Sequence, residues 1–116
     1  MTLPAFLTDE LHMRLLANGR IAQTATFDAY PVVKLFAPDG RAVWLLNALD
    51  PDNPDMAYGL CDLGTGDPKP GKVSLAELQA LRGAQGLPVA RDPDFRAEGP
   101  LSEYVRLVRE EGRIVA

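Results

Sequence analysis

Residues 42–46 (AVWLL) constrain the fold more than any other stretch, because both alternating sets of side chains are apolar. As a strand, Val43 and Leu45 face one way while Ala42, Trp44 and Leu46 face the other. Successive strand residues point to opposite faces, so a strand apolar on both must be covered on both. It therefore belongs inside a sheet with a packed layer on each side. The preceding run, residues 31–36 (PVVKLF), has the same character apart from Lys34. Between the two sits Ala37-Pro38-Asp39-Gly40, with an Asp-Gly pair of the kind hairpins favour where positive φ is needed, so an antiparallel hairpin is predicted. A third strand, about residues 57–63, returns after the acidic segment 50–55 (DPDNPD), where two prolines argue against any regular strand or helix interior. A lone hairpin is marginal in water, whereas three strands with helices packed on them form a stable unit.

Helical signals flank this sheet. Thr8 reads as an N-cap with Asp9 and Glu10 in the first turn, and Leu11, Leu15 and Leu16 follow until Asn18-Gly19 closes a helix over residues 8–18. Ser74 and Glu77 form a capping box, with Val73 and Leu78 at hydrophobic-staple spacing. That helix carries Leu75, Leu78 and Leu81 inward and stops at Gly83 after Arg82. Ser102 caps a last helix, whose inward residues are Leu101, Tyr104, Val105, Leu107 and Val108, and Gly112 ends it. Residues 20–29 lack periodicity and read as a loop or irregular edge strand, and residues 65–72 (TGDPKPGK) as a turn-rich connection. Pro88 confines Leu87-Pro88-Val89 to an edge strand or extended piece. With 116 residues the expectation is a single α+β domain: an antiparallel sheet of three or more strands packed with an N-terminal helix and two C-terminal helices.

Charge and composition then narrow the chemistry. A net charge of −4 weakens any general affinity for nucleic acid, which needs a basic footprint. The N-terminal residues have no basic region ahead of a long apolar run, and no stretch approaches the length of a membrane span. The single cysteine, Cys61, makes no internal disulfide, so a cytoplasmic protein without a membrane partner is expected. Cys61 lies mid-strand beside Leu60, without the electropositive setting a nucleophilic thiol needs, and reads as a small core residue. The sole histidine, His12, has no ligand-spaced partner and reads as a surface or boundary residue. Ser74 is a cap, Gly64-Thr65-Gly66 is too short for a dinucleotide loop, and no cofactor is expected.

The densest acidic cluster remains. An EF-hand would need a liganding residue, then glycine, then a twelfth-position carboxylate where this chain has Pro54, Asp55 and Cys61. A looser magnesium or calcium site from Asp50, Asp52, Asp55 and Asp62 stays open beside a purely structural role, since Asp and Asn favour proline-rich turns. Residues 39–67 hold six acids and only Arg41 as a base, whereas Lys69, Lys72 and six arginines follow; an acidic end of this kind can steer a charged partner, but such a charge run is more often only a solvated surface.

The strings LLANGR (15–20), PVVKLF (31–36), WLLNALDPDNPDMAYGLCDLG (44–64), GKVSLAELQALRG (71–83), GLPVARDPDF (86–95) and LSEYVRLVREEGRI (101–114) carry a resemblance. Together they resemble a bacterial domain-of-unknown-function family of short stand-alone proteins, often encoded on plasmids and other mobile elements. The resemblance carries no residue roles over to this chain. It implies a setting in which plasmid maintenance, transfer and anti-defence functions cluster. Two readings follow. In the first, a non-enzymatic accessory protein binds another protein with a basic surface through Asp50, Asp52, Asn53 and Asp55. In the alternative, a small metal-assisted hydrolase uses Asp50, Asp52, Asp55 and Asp62.

Overall fold

The computed structural model describes residues 3–116 and shows an α+β fold. Helix α1 (Asp9–Thr24) precedes strands β1 (Val33–Phe36), β2 (Val43–Asp50), β3 (Asn53–Asp62) and β4 (Lys69–Ser74). Helix α2 (Leu75–Ala80), strand β5 (Ala90–Arg91) and helix α3 (Leu101–Glu111) follow. The five strands form one antiparallel sheet in the order β4-β3-β2-β1-β5.

β2 lies at the middle of this sheet and is covered on both faces, as its doubly apolar sequence requires. Trp44 and Leu46, with Val33, Leu35 and Ala57, pack against Leu15 of α1 and against Leu75 and Leu78 of α2. Leu45 and its cross-strand partner Leu60 face the other way, onto Leu101, Tyr104 and Val108 of α3 and onto Ile114. Val43 and Cys61, expected in the core, are only partly covered because they lie towards the sheet margin.

Several predicted boundaries move, each for a local reason. α1 does not stop at Asn18-Gly19 but continues to Thr24. The Asn18 amide donates to the Asn47 carbonyl at 2.8 Å, and an added Cβ at Gly19 would lie 1.8 Å from the Leu49 carbonyl oxygen. Asn18-Gly19 is therefore the point of closest approach between helix and sheet, not a terminus. The acidic segment is likewise not an irregular loop. β2 runs to Asp50 and β3 starts at Asn53, leaving Pro51-Asp52 as the turn. Asp50 pairs with Asn53 while Leu49 pairs with Ala57, so Pro54, Asp55 and Met56 bulge from the ladder. A bulge asks for no ladder N–H from Pro54.

The turn-rich connection hides β4, whose sequence KPGKVS lacks apolar alternation because it is the sheet's outer strand. Lys69, Pro70 and Lys72 suit an edge that must not recruit a further strand. α2 ends at Ala80 instead of Arg82, which leaves Leu81 exposed. The extended piece expected at residues 87–89 forms an isolated bridge between Arg82 and Pro88, and the paired strand falls at Ala90–Arg91.

Ser102 does not cap α3. Pro100 occupies that position without a side-chain bond, and the Asp28 carboxylate accepts from the Ser102 amide at 3.1 Å and from its hydroxyl. No helix among the described residues is long and apolar enough to cross a membrane.

Candidate functional site

The acids singled out in the sequence do not converge. Asp50 and Asp52 stand together at the β2–β3 turn. Asp50 Oδ1 accepts from the Asp52 amide at 2.9 Å, and Asp52 Oδ2 accepts from the Gln23 side chain of α1 at 3.0 Å. Asn53 is exposed opposite Asp50. Asp55 instead reaches the start of α2, accepting from the Ser74 hydroxyl at 2.5 Å and the Ala76 amide at 2.9 Å. Those two donors, the hydroxyl first, hold its carboxyl below the usual value. Asp62 is buried and ties down distant chain, accepting from Gly64 at 2.9 Å and from Ile114 at 3.2 Å.

Among the described residues no group of three or more His, Cys, Asp or Glu is placed to hold a metal ion. Burial raises the Cys61 thiol above its ordinary value, which favours the neutral form over a nucleophilic thiolate.

The remaining acids of residues 39–67 are also bonded. Asp39 Oδ2 accepts from the Gln85 and Leu87 amides at 2.8 and 3.3 Å, and Asp67 pairs with Lys69 at 3.2 Å. All six acids between residues 39 and 67 thus have hydrogen-bonding partners, and three of them fix backbone remote in sequence. The cluster is first of all a set of structural clasps.

What the Asp50–Asp52 turn does border is a cleft. The β2–β3 register slips between Leu46 and Ala48, because Leu46 pairs with Gly59 and Ala48 with Tyr58. Asn47 is the extra residue of this bulge. Its side chain donates to the Ala29 carbonyl at 3.4 Å, while its Oδ1 is buried without a partner among the described residues. Beside it stand two aromatic rings that the core does not absorb: Phe27, from the segment after α1, and Tyr58 of β3, each 42% exposed.

Phe27, Asn47 and Tyr58 border two adjoining hollows. One, of about 490 Å³, runs towards Met56, Asp50 and Asp52. The other, of about 420 Å³, runs towards Val105 and Arg109 of α3. Half of this site was visible in the sequence, as the acidic turn. The aromatic half was not. Phe27 lies in the segment without periodicity, and Tyr58, two residues from the buried Leu60 on the same strand, carries no sign in the sequence that its ring stays uncovered. The one available signal was an aromatic residue between the small Ala57 and Gly59 of a strand.

An antiparallel sheet with helices on both faces and a cleft opened at a central-strand bulge defines a small α+β sheet protein. The chain belongs to the family described as Protein of unknown function (DUF2958), which matches residues 6–115. No curated protein and no solved structure gives a match. The family description assigns neither an activity nor a genetic setting.

Proposed function

We propose that this protein is a non-enzymatic binding module that grips a protein partner in the cleft between α1 and the β2–β3 turn. The observation that carries this reading is that Phe27 and Tyr58, both exposed, border the same hollows as Asn47, whose buried acceptor is unused among the described residues. Exposed aromatic residues beside a concave surface are the usual anchors of recognition, and a buried acceptor without a partner is costly until a donor reaches it.

The occupant that fits is a partner segment with an apolar side chain next to a basic one. The apolar group enters between the rings, and the basic group meets Asp50 and Asp52, whose carboxylates line the same cleft. This keeps the acidic turn in the interface expected from the sequence and leaves out Asp55, which is committed to α2. The resemblance to short proteins of plasmids and other mobile elements supports a partner in host defence or plasmid maintenance.

The test is selection from a displayed peptide library, followed by affinity measurement of the enriched peptides. Enrichment of Lys or Arg beside a large apolar residue is expected, with Phe27→Ala/Tyr58→Ala weakening binding about tenfold or more. Asp50→Asn/Asp52→Asn should flatten the salt dependence. No enrichment, or peptides that bind the aromatic double variant as tightly, overturns the proposal.

A further inference from the structure

A separate cavity of about 520 Å³ lies between the first turns of α1, the start of β1 and the chain leaving β5, and shares no lining residue with the aromatic cleft. Three arginines from three parts of the chain border it: Arg14 of α1, Arg91 of β5 and Arg96 beyond it. Arg91 pairs with Leu35 across the β1–β5 ladder, so its side chain projects to the same sheet face as Leu35, the one that α1 covers.

Among the described residues none of the three arginines lies within 4.0 Å of a carboxylate. The Arg91 Nε is buried without an acceptor among the described residues. Arg96 donates to the nearby Pro93 and Phe95 carbonyls. Two acids also border the cavity, Glu10 and Asp92, but Asp92 is drawn to Lys34 at 3.9 Å and to the Asp94 amide at 2.9 Å. The chain carries a net charge of −4, yet among the described residues none of the three arginines around this cavity is ion-paired, although Glu10 and Asp92 border it too.

We propose that this cavity binds a small oxyanionic ligand, a phosphate monoester or a carboxylate, held by Arg14, Arg91 and Arg96 with its organic part against Tyr30. Guanidinium groups match both oxyanions through paired N–H donors. Tyr30, 54% exposed on the cavity wall, offers a flat apolar surface beside them.

Titration calorimetry and thermal melts with inorganic phosphate, adenosine monophosphate and succinate, each against chloride at equal ionic strength, test the site. At about 1 mM probe, a phosphate or a carboxylate is expected to raise the melting temperature above the chloride control. The phosphate and carboxylate arms identify which oxyanion the site takes. Arg14→Gln/Arg96→Gln, at two exposed positions, should weaken binding about tenfold or more while the melting temperature without ligand stays near wild type. Arg91→Lys should weaken it too, since the charge remains but the fork is lost. Equal response to chloride and all probes, no response to any, or unchanged binding by the double variant overturns the proposal.

Discussion

Asp28 and Ser102 stand 74 positions apart in the chain, yet the Asp28 carboxylate accepts from both the amide and the hydroxyl of Ser102 at the first turn of α3. The first amides of a helix have no partner within it, and a carboxylate there also suits the helix dipole. Pro100, the residue before α3, has no side-chain oxygen to offer. A remote acid therefore does what a local cap would do, and in doing so fastens the segment after α1 to α3. Asp28→Ala should destabilise the protein by about 1–2 kcal/mol, as loss of an N-cap oxygen does. Ser102→Ala, which leaves Asp28 its amide donor, should cost less. Urea denaturation of the two variants checks the order, and the reverse order would show that Ser102 caps the helix itself.

Gly19 supplies a second expectation with an unusual sign. Replacing glycine by alanine inside a helix ordinarily stabilises by about 1 kcal/mol. Here the new Cβ would stand 1.8 Å from the Leu49 carbonyl oxygen, a backbone atom of the central strand. Gly19→Ala should therefore destabilise by about 1–3 kcal/mol, the range for overpacking. A stabilised variant would show that α1 does not seat on β2 at this point.

Trp44 and Ser74 separate the contribution of the core from that of a cap. Trp44 is almost wholly buried between β2 and the layer formed by α1 and α2, so Trp44→Ala should cost about 3–5 kcal/mol. The Ser74 hydroxyl accepts from the Glu77 amide at 3.2 Å and donates to Asp55, so Ser74→Ala should cost about 1 kcal/mol. Thermal melts in which the cap variant is the less stable of the two would place the core elsewhere.

These residues also show which parts of the fold can be read from sequence. Trp44 and its neighbours reveal a covered central strand because their pattern is local and independent of what covers it. Ser74 and Glu77 reveal a helix start for the same reason. Asp28 conveys nothing about α3, since its partner is distant and aspartate in an irregular segment has many uses. Asn18-Gly19 misleads because one dipeptide serves both helix termination and close helix–sheet approach, and only the position of Leu49 decides between them. The candidate cleft divides the same way. Asp50 and Asp52 stand out by composition, whereas Asn47 and Tyr58 come together through a register slip in the β2–β3 pairing, and Phe27 joins them through the segment after α1.

Asp55 allows the acidic cluster to be divided by measurement. Its carboxyl is held below the ordinary value of 3.8, first by the Ser74 hydroxyl and then by the Ala76 amide. The folded state thus favours the ionised form, and the unfolded chain takes up the proton more readily. The stability Asp55 contributes is complete above its unfolded value and disappears as pH falls through the lower folded value. Asp55→Asn should therefore melt below wild type at neutral pH, and the gap should close as pH drops below 3.8. Comparing the two proteins cancels the acid destabilisation they share through other carboxylates. At neutral pH the same variant should bind cleft peptides as wild type does, while Asp50→Asn/Asp52→Asn loses salt dependence with little change in melting, because an asparagine oxygen still accepts from the Asp52-position amide. A melting gap that persists unchanged to the lowest pH would show that the charge on Asp55 does not hold α2. Loss of peptide binding in Asp55→Asn would extend the interface from the β2–β3 turn to the start of that helix.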